Sequence, residues 1–186
     1  MVPKKNSLRI IGGTWRSRRV EFADAPGIRP TPDRVRETLF NWLADKIEGA
    51  RCLDLFAGSG ALGFEAASRG AVHLTLVDHD AGVIDMLKAQ RRSLDARQVE
   101  IVHHESLAYL REASQPFDIV FLDPPFGTDL HQLAAQVLVT RELLCPNGRL
   151  YIESPVGKTP ELPDALRCIR EKTAGQVRYQ LHELVA

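Results

Sequence analysis

Cysteine is scarce in this chain, long apolar runs are absent, and no segment repeats or drops to low complexity. The three cysteines, Cys52, Cys145 and Cys168, lie far apart and form no CxxC pair. That excludes a disulfide scaffold or a cysteine-ligated zinc module, and predicts reduced, mostly packed thiols in a cytosolic protein. The longest hydrophobic stretches are strand-sized, so no membrane-spanning helix is expected. The start, MVPKKNSLRIIGG, has basic residues but not the continuous apolar core of a signal peptide. His103 and His104 are adjacent and the other histidines isolated, so no metal site is expected, and no nucleophile triad is evident.

What is present suits one globular domain with a sizeable core. The chain has 186 residues, 44% hydrophobic and 26% charged. Its net charge of zero hides an asymmetry. Residues 1–36 hold nine Lys and Arg against three Asp and Glu, a net of +6. The remaining fifteen basic and twenty-one acidic residues carry −6. A basic leading segment on an acidic body predicts either a polyanion contact or a solvated arm paired with that body.

The leading LRIIGGTWRSRRVEF reads as two short strands around Gly12-Gly13, a basic hairpin or else a strand followed by a loop. After the extended loop APGIRPTP, Asp33 stands where a helix cap belongs. A helix is expected from Arg34 to about Ile47, with Gly49 ending it. From residue 51 apolar runs alternate with amphipathic segments. Helices are expected near Ala61–Arg69, Ala81–Leu94, Ser106–Glu112 and Leu130–Leu144. Strand–helix alternation predicts an α/β fold with a mostly parallel sheet covered by helices on both faces. ALRCIREKTAGQVRYQLHELV adds an antiparallel hairpin turning at Ala174-Gly175.

Two motifs carry the chemistry. In LDLFAGSGALGFEA, Gly58, Gly60 and Gly63 match GxGxxG between a strand and a helix. Such a loop lets backbone approach a ligand beneath a helix N-terminus. Asp78 ends the next strand 20 residues after Gly58, where an acid holds ribose hydroxyls. Asp54 would sit badly beside a pyrophosphate, which disfavours a dinucleotide and an oxidoreductase. S-adenosylmethionine has no phosphate and carries cationic groups, so the carboxylate helps; a turn or capping role for Asp54 stays open.

The second motif is FDIVFLDPPFG, a strand ending in Asp123-Pro124-Pro125-Phe126. An exocyclic base amine is a poor nucleophile because its lone pair is delocalised into the ring. The Asp123 side chain and the Pro124 carbonyl can accept its hydrogens and leave the lone pair aimed at a methyl group. Phe126 can stack on an extruded base.

Together DLFAGSGALGFEA and DPPF resemble the class I S-adenosylmethionine-dependent methyltransferases that act on amino groups. RIIGGTWRSRRVEF, RPTPDRVRETLFNWL and EKTAGQVRYQL resemble, in order and across nearly the whole chain, the bacterial 16S ribosomal RNA guanine-N2 methyltransferases, the ribosomal small subunit methyltransferase D family. The resemblance implies a Rossmann-like seven-stranded sheet with a small basic N-terminal extension. The chain then divides into residues 1–32, hairpin and loop, and residues 33–186, the methyltransferase domain.

It also implies that Gly58 and Gly60 line the cofactor, that Asp78 takes its ribose, and that Glu105 or Ser106 faces its adenine. Asp123 and Phe126 would hold the guanine. The arginines expected to meet RNA are Arg16, Arg18, Arg19, Arg29 and Arg34. Thr31 and Arg36 are also available for phosphate or carboxylate contacts, and Trp15 is a candidate to stack on RNA or to anchor the hairpin. The expected protein is a cytoplasmic, monomeric, metal-independent enzyme. It would methylate the 2-amino group of one guanine in 16S ribosomal RNA or the small ribosomal subunit. The rivals are an amino methyltransferase acting on DNA adenine or cytosine or on protein glutamine, and a non-catalytic RNA-binding ribosome assembly factor.

Overall fold

The computed structural model describes residues 6–22 and 31–185. Two short strands, β1 (Asn6–Arg9) and β2 (Arg19–Phe22), pair as an antiparallel hairpin. Helix α1 (Asp33–Trp42) precedes an alternating series: β3 (Arg51–Asp54), α2 (Ala61–Ser68), β4 (His73–Asp78), α3 (Ala81–Leu94), β5 (Val99–His103), α4 (Ser106–Glu112), β6 (Phe117–Leu122), α5 (Leu130–Thr140) and β7 (Leu144–Pro155). Strands β8 (Leu166–Ala174) and β9 (Val177–Leu184) close the chain. The main sheet has seven strands in the order β5-β4-β3-β6-β7-β9-β8, parallel from β5 to β7 and antiparallel at β9 and β8. This is the expected α/β sheet with its terminal hairpin.

Alternation along the strands sorts the core into two layers. Cys52, Leu74, Leu76, Ile119, Phe121 and Tyr151 point to one face, with apolar residues of α1, α2, α3 and the N-terminal hairpin. Leu53, Val77, Val120, Leu122, Leu150 and Ile152 point to the other, with Leu110 of α4 and Ala134, Ala135 and Leu138 of α5. Cys52 is buried as expected, whereas Cys168 is exposed.

Helix ends differ from the periodicity. Pro32 occupies the cap of α1 without a side-chain hydrogen bond, and Asp33 is already helical. Its carboxylate instead accepts from Arg36 Nη2 at 2.6 Å. The α1 helix stops at Trp42, and Leu43–Gly49 continue as turns that still bury Ile47. Helix α5 stops at Thr140 because Glu142 turns left-handed (φ 53°). Leu143 N–H then returns to the Leu138 carbonyl at 2.9 Å and Glu142 N–H to Val139 at 3.1 Å, a Schellman closure. Leu143 and Leu144 prolong the apolar period past that closure, which is why pattern alone overruns it.

The hairpin's connecting segment lies on α2. Thr14 N–H donates to the Ser68 carbonyl at 2.7 Å, Trp15 N–H to Ser68 Oγ at 2.9 Å, and Ser68 Oγ–H to the Gly12 carbonyl at 2.6 Å. A Cβ on Gly13 would stand 1.8 Å from the Ser68 carbonyl oxygen, so no side chain fits there. Trp15 is 8% exposed and packs in the core, so of its two expected roles the structure gives it the anchoring one.

Candidate active site

The carboxyl ends of β3, β4, β6 and β7 bring the expected acids to one edge of the sheet. Asp54 ends β3 and Asp78 ends β4. Asp54 pairs in register with Phe121, and Leu122 with Ile152. Asp123 and Glu153 are therefore the next residues on adjacent strands, on the same sheet face as Asp54, Phe121 and Tyr151. Glu153 is a member of this site that sequence reasoning missed. Its signal is a lone acid in the apolar LYIES, at the depth of Asp123.

Between β3 and α2 the chain makes a tight loop. Gly60 is the helix cap and takes φ 75°, a left-handed conformation that strains any residue with a Cβ. Gly63 meets the sheet closely: a Cβ there would fall 2.3 Å from Leu76 Cδ2 and 3.2 Å from Asp54 Oδ2. That approach lets Gly63 N–H donate to Asp54 Oδ2 at 3.1 Å. Gly58 N–H donates to Asp78 Oδ2 at 3.0 Å, and Asp80 N–H to Asp78 Oδ1 at 3.0 Å. Asp78 thus fixes the glycine loop against the end of β4.

Three of these acids are hard to ionise. Burial pushes Asp54 up to about 7, opposed by backbone hydrogen bonds from Gly63 and Phe56 and reinforced by the charges of Asp78 and Glu153. Burial, then the neighbouring Glu153 and Asp54, holds Asp123 well above the usual carboxylate range. Glu153 is raised by burial as well, although Thr31 Oγ–H (2.8 Å) and Tyr151 O–H (2.9 Å) both donate to its Oε1. Among the described residues none of these three acids has a cationic partner, and such a cluster, largely shielded from water, favours binding a cation.

The remaining expected residues divide. Phe126 is 53% exposed beside the two prolines, of which Pro124 is buried. Glu105 caps α4, accepting from Leu107 N–H at 3.3 Å, and is exposed. Ser106 is buried and its hydroxyl donates to the Leu55 carbonyl at 3.0 Å, tying α4 to the end of β3. Arg16, Arg18, Arg19 and Arg34 are all exposed. Arg18 Nη2 donates to the Ser93 carbonyl at 2.6 Å and Arg19 Nη1 to Ser7 Oγ at 2.9 Å. Arg29 lies outside the described residues.

Arg36 departs from expectation. It is fully buried and donates to the Thr31 carbonyl, the Arg9 carbonyl, Asp33 and Glu65. Its contacts are internal, so it is closed to a phosphate. Thr31 is likewise committed to Glu153. Glu65, missed from the sequence, also accepts from Ile11 and Gly12 N–H (2.8 Å each) and from Arg69 Nε (2.7 Å). One acid inside a helix whose residues are all buried was the available sign.

Residues 8–183 match the family described as conserved hypothetical protein 95. The chain is 45% identical to ribosomal RNA small subunit methyltransferase D of Escherichia coli K12 over 177 residues, covering 95% of this chain and 89% of that protein. It is 43% identical to the protein of the same name from Haemophilus influenzae, covering 96% and 95%. The solved structure of yhhF from Escherichia coli superposes with a TM-score of 0.90 at 42% identity, covering 97% of this chain and 99% of that one. The chain belongs to this family, that of the ribosomal RNA small subunit methyltransferase D proteins.

Proposed function

For this member of the family we propose transfer of a methyl group from S-adenosylmethionine to the exocyclic 2-amino group of a guanine in small-subunit ribosomal RNA. The relatives' names support the substrate class. The observation that carries the reading is the set of Asp54, Asp123 and Glu153 on one face at neighbouring strand ends, beside the glycine loop.

The residues present fit the cofactor. Asp54, buried and with no cation paired to it among the described residues, matches its positive groups, and Gly58 and Gly60 let backbone pass close to it. Asp78, held by two backbone N–H groups, keeps lone pairs for ribose hydroxyls, while Glu105 and Ser106 face the adenine. When bound, the cofactor supplies an electrophilic methyl group on a sulfonium.

The chain's own part is positioning and electrostatics. Asp123 carboxylate and the Pro124 carbonyl accept the two amine hydrogens and direct the nitrogen lone pair. The rigid prolines hold that geometry, and the exposed Phe126 ring stacks on the base. Asp123, whose proton affinity is raised by burial, Glu153 and Asp54, takes the proton that the methylated nitrogen sheds. Residues 1–32 act as a basic extension of the domain formed by residues 33–186. In it Arg16, Arg18, Arg19 and Arg29 meet RNA phosphates, joined by Arg34 of α1. We place the protein in the cytoplasm as a monomer. Among the described residues no helix is long and apolar enough to cross a membrane.

The test incubates small subunits and naked ribosomal RNA from a strain lacking this gene with the protein and labelled S-adenosylmethionine. The labelled nucleoside is then identified by mass spectrometry. N2-methylguanosine supports the reading, and another nucleoside overturns the guanine assignment. No label with intact cofactor binding leaves a different target or a binding factor.

A further inference from the structure

A guanine presents its N1–H beside the two hydrogens of its 2-amino group. Asp123 and the Pro124 carbonyl answer the amine, which leaves N1–H without an acceptor. Adenine and cytosine carry a lone pair, not a hydrogen, on the Watson–Crick ring nitrogen beside their amine. An acceptor facing that ring nitrogen therefore separates guanine from the other two amine-bearing bases.

Glu153 stands where such an acceptor is required. Leu122 and Ile152 are partners across the parallel β6–β7 pair, so Asp123 and Glu153 follow on adjacent strands and one face, about 5 Å apart in backbone. After burial, the Glu153 charge is the strongest influence on the Asp123 carboxyl, ahead of Asp54. In the sheet order β4-β3-β6-β7, Glu153 lies beyond Asp123 from Asp54 and Asp78. It flanks the clamp on the side away from the residues that suit the cofactor. Glu153 is 5% exposed, and Asp123 beside it is partly exposed.

Internal bonds occupy only half of the Glu153 carboxylate. Thr31 Oγ–H and Tyr151 O–H both donate to Oε1, and Oε2 has no partner among the described residues. His131 Nε2 lies 2.7 Å from the Glu153 carbonyl, and because a carbonyl only accepts, that nitrogen carries the proton. These bonds hold Glu153 in place before a ligand arrives. A neutral amide oxygen would meet two hydroxyl donors as well, without the cost of burying a charge. The second oxygen and the charge are surplus to the fold, and a charged acceptor makes the stronger bond to an N–H.

We propose that Glu153 selects guanine: its Oε2 accepts N1–H of the target base while Asp123 and the Pro124 carbonyl hold the 2-amino group. The assignment rests on the guanine-N2 methyltransferase reading. Adenine or cytosine at the clamp would set a ring-nitrogen lone pair against the carboxylate, so each is rejected by repulsion as well as by a missing bond.

The test replaces the target guanine with 2-aminopurine, which keeps the 2-amino group and has no N1–H. Small subunits rebuilt with either base at the methylated position are compared by kcat/KM, with S-adenosylmethionine affinity and thermal unfolding measured alongside. The wild-type protein should prefer guanine by about a hundredfold or more. Glu153→Gln keeps an oxygen for Thr31 and Tyr151 and can turn an N–H toward the bare ring nitrogen. Its preference should fall to about tenfold or less, with cofactor affinity unchanged. Intrinsic differences between the two amines cancel when the ratio is compared between proteins. A purely structural role would lower both substrates together, so an unchanged ratio in Glu153→Gln overturns the assignment. If that variant fails to fold, Glu153→Asp, which withdraws the carboxylate by one methylene, is scored in the same way. A wild-type ratio near one, with N2-methylguanosine formed from the guanine subunits, overturns the selection alone. A wild-type protein that makes no N2-methylguanosine overturns the parent reading and the selection with it.

Discussion

Arg36 Nη1 lies 3.2 Å from Glu65 Oε2, and neither side chain reaches solvent. The pair joins α1 to α2, and through Ile11 and Gly12 it also fastens the segment after β1. Glu65→Ala leaves a buried guanidinium with Asp33 as its remaining carboxylate and two backbone donors without their acceptor. The expected loss of stability is about 3–5 kcal/mol. Urea unfolding checks it, and a loss under 1 kcal/mol would mean that water replaces the carboxylate. The double change Arg36→Met with Glu65→Leu should recover part of the loss, because it removes the buried charge.

On the proposed mechanism Asp123→Ala should cut turnover roughly a hundredfold or more, since it would remove one of two acceptors for the amine hydrogens. Cofactor affinity should stay close to wild type. Single-turnover methylation alongside a binding titration separates the two effects. Near-normal turnover would end the role given to Asp123.

Asp54 supplies a pH dependence. Its carboxyl titrates near 7 in the free protein, and a cationic cofactor prefers the ionised form. Affinity for S-adenosylmethionine should therefore rise with pH up to about 7 and level off above it, approaching tenfold per pH unit at the acidic end. Binding near pH 6 should release protons. Calorimetry in buffers of different ionisation enthalpy reads that release directly. Asp54→Asn should bind more weakly and lose the dependence; the same slope in that variant would assign it to another group.

Reversing the charges of Arg16, Arg18 and Arg19 together should weaken RNA binding and flatten its salt dependence. Arg18 and Arg19 also hold the Ser93 carbonyl and the Ser7 hydroxyl, so thermal unfolding has to accompany the binding assay. An unchanged salt slope would remove this face from the RNA contact.

Much of the site was legible because its signals are local. A left-handed Gly60, an acid 20 residues on from Gly58 and a strand ending in Asp-Pro-Pro-Phe each constrain backbone or chemistry within a few residues. The order of strands and helices followed for the same reason, from periods of two and near four. Even Ser17, which takes φ 69° in the turn before β2, departs only locally from what its residue type prefers.

What the chain could not announce is non-local. Arg36 stood in a run of basic residues and looked open to phosphate. Only folding α1 onto α2 turned it inward, to a glutamate 29 residues away. Glu153 lies 30 residues from Asp123 in sequence and became its neighbour only through the parallel register of β6 and β7. By itself the sequence determined the element order, the glycine loop and the strand end at Asp-Pro-Pro-Phe, since each rests on short-range geometry. Burial and strand register decided which charges are structural and which acids act together, because both depend on what the rest of the chain brings alongside.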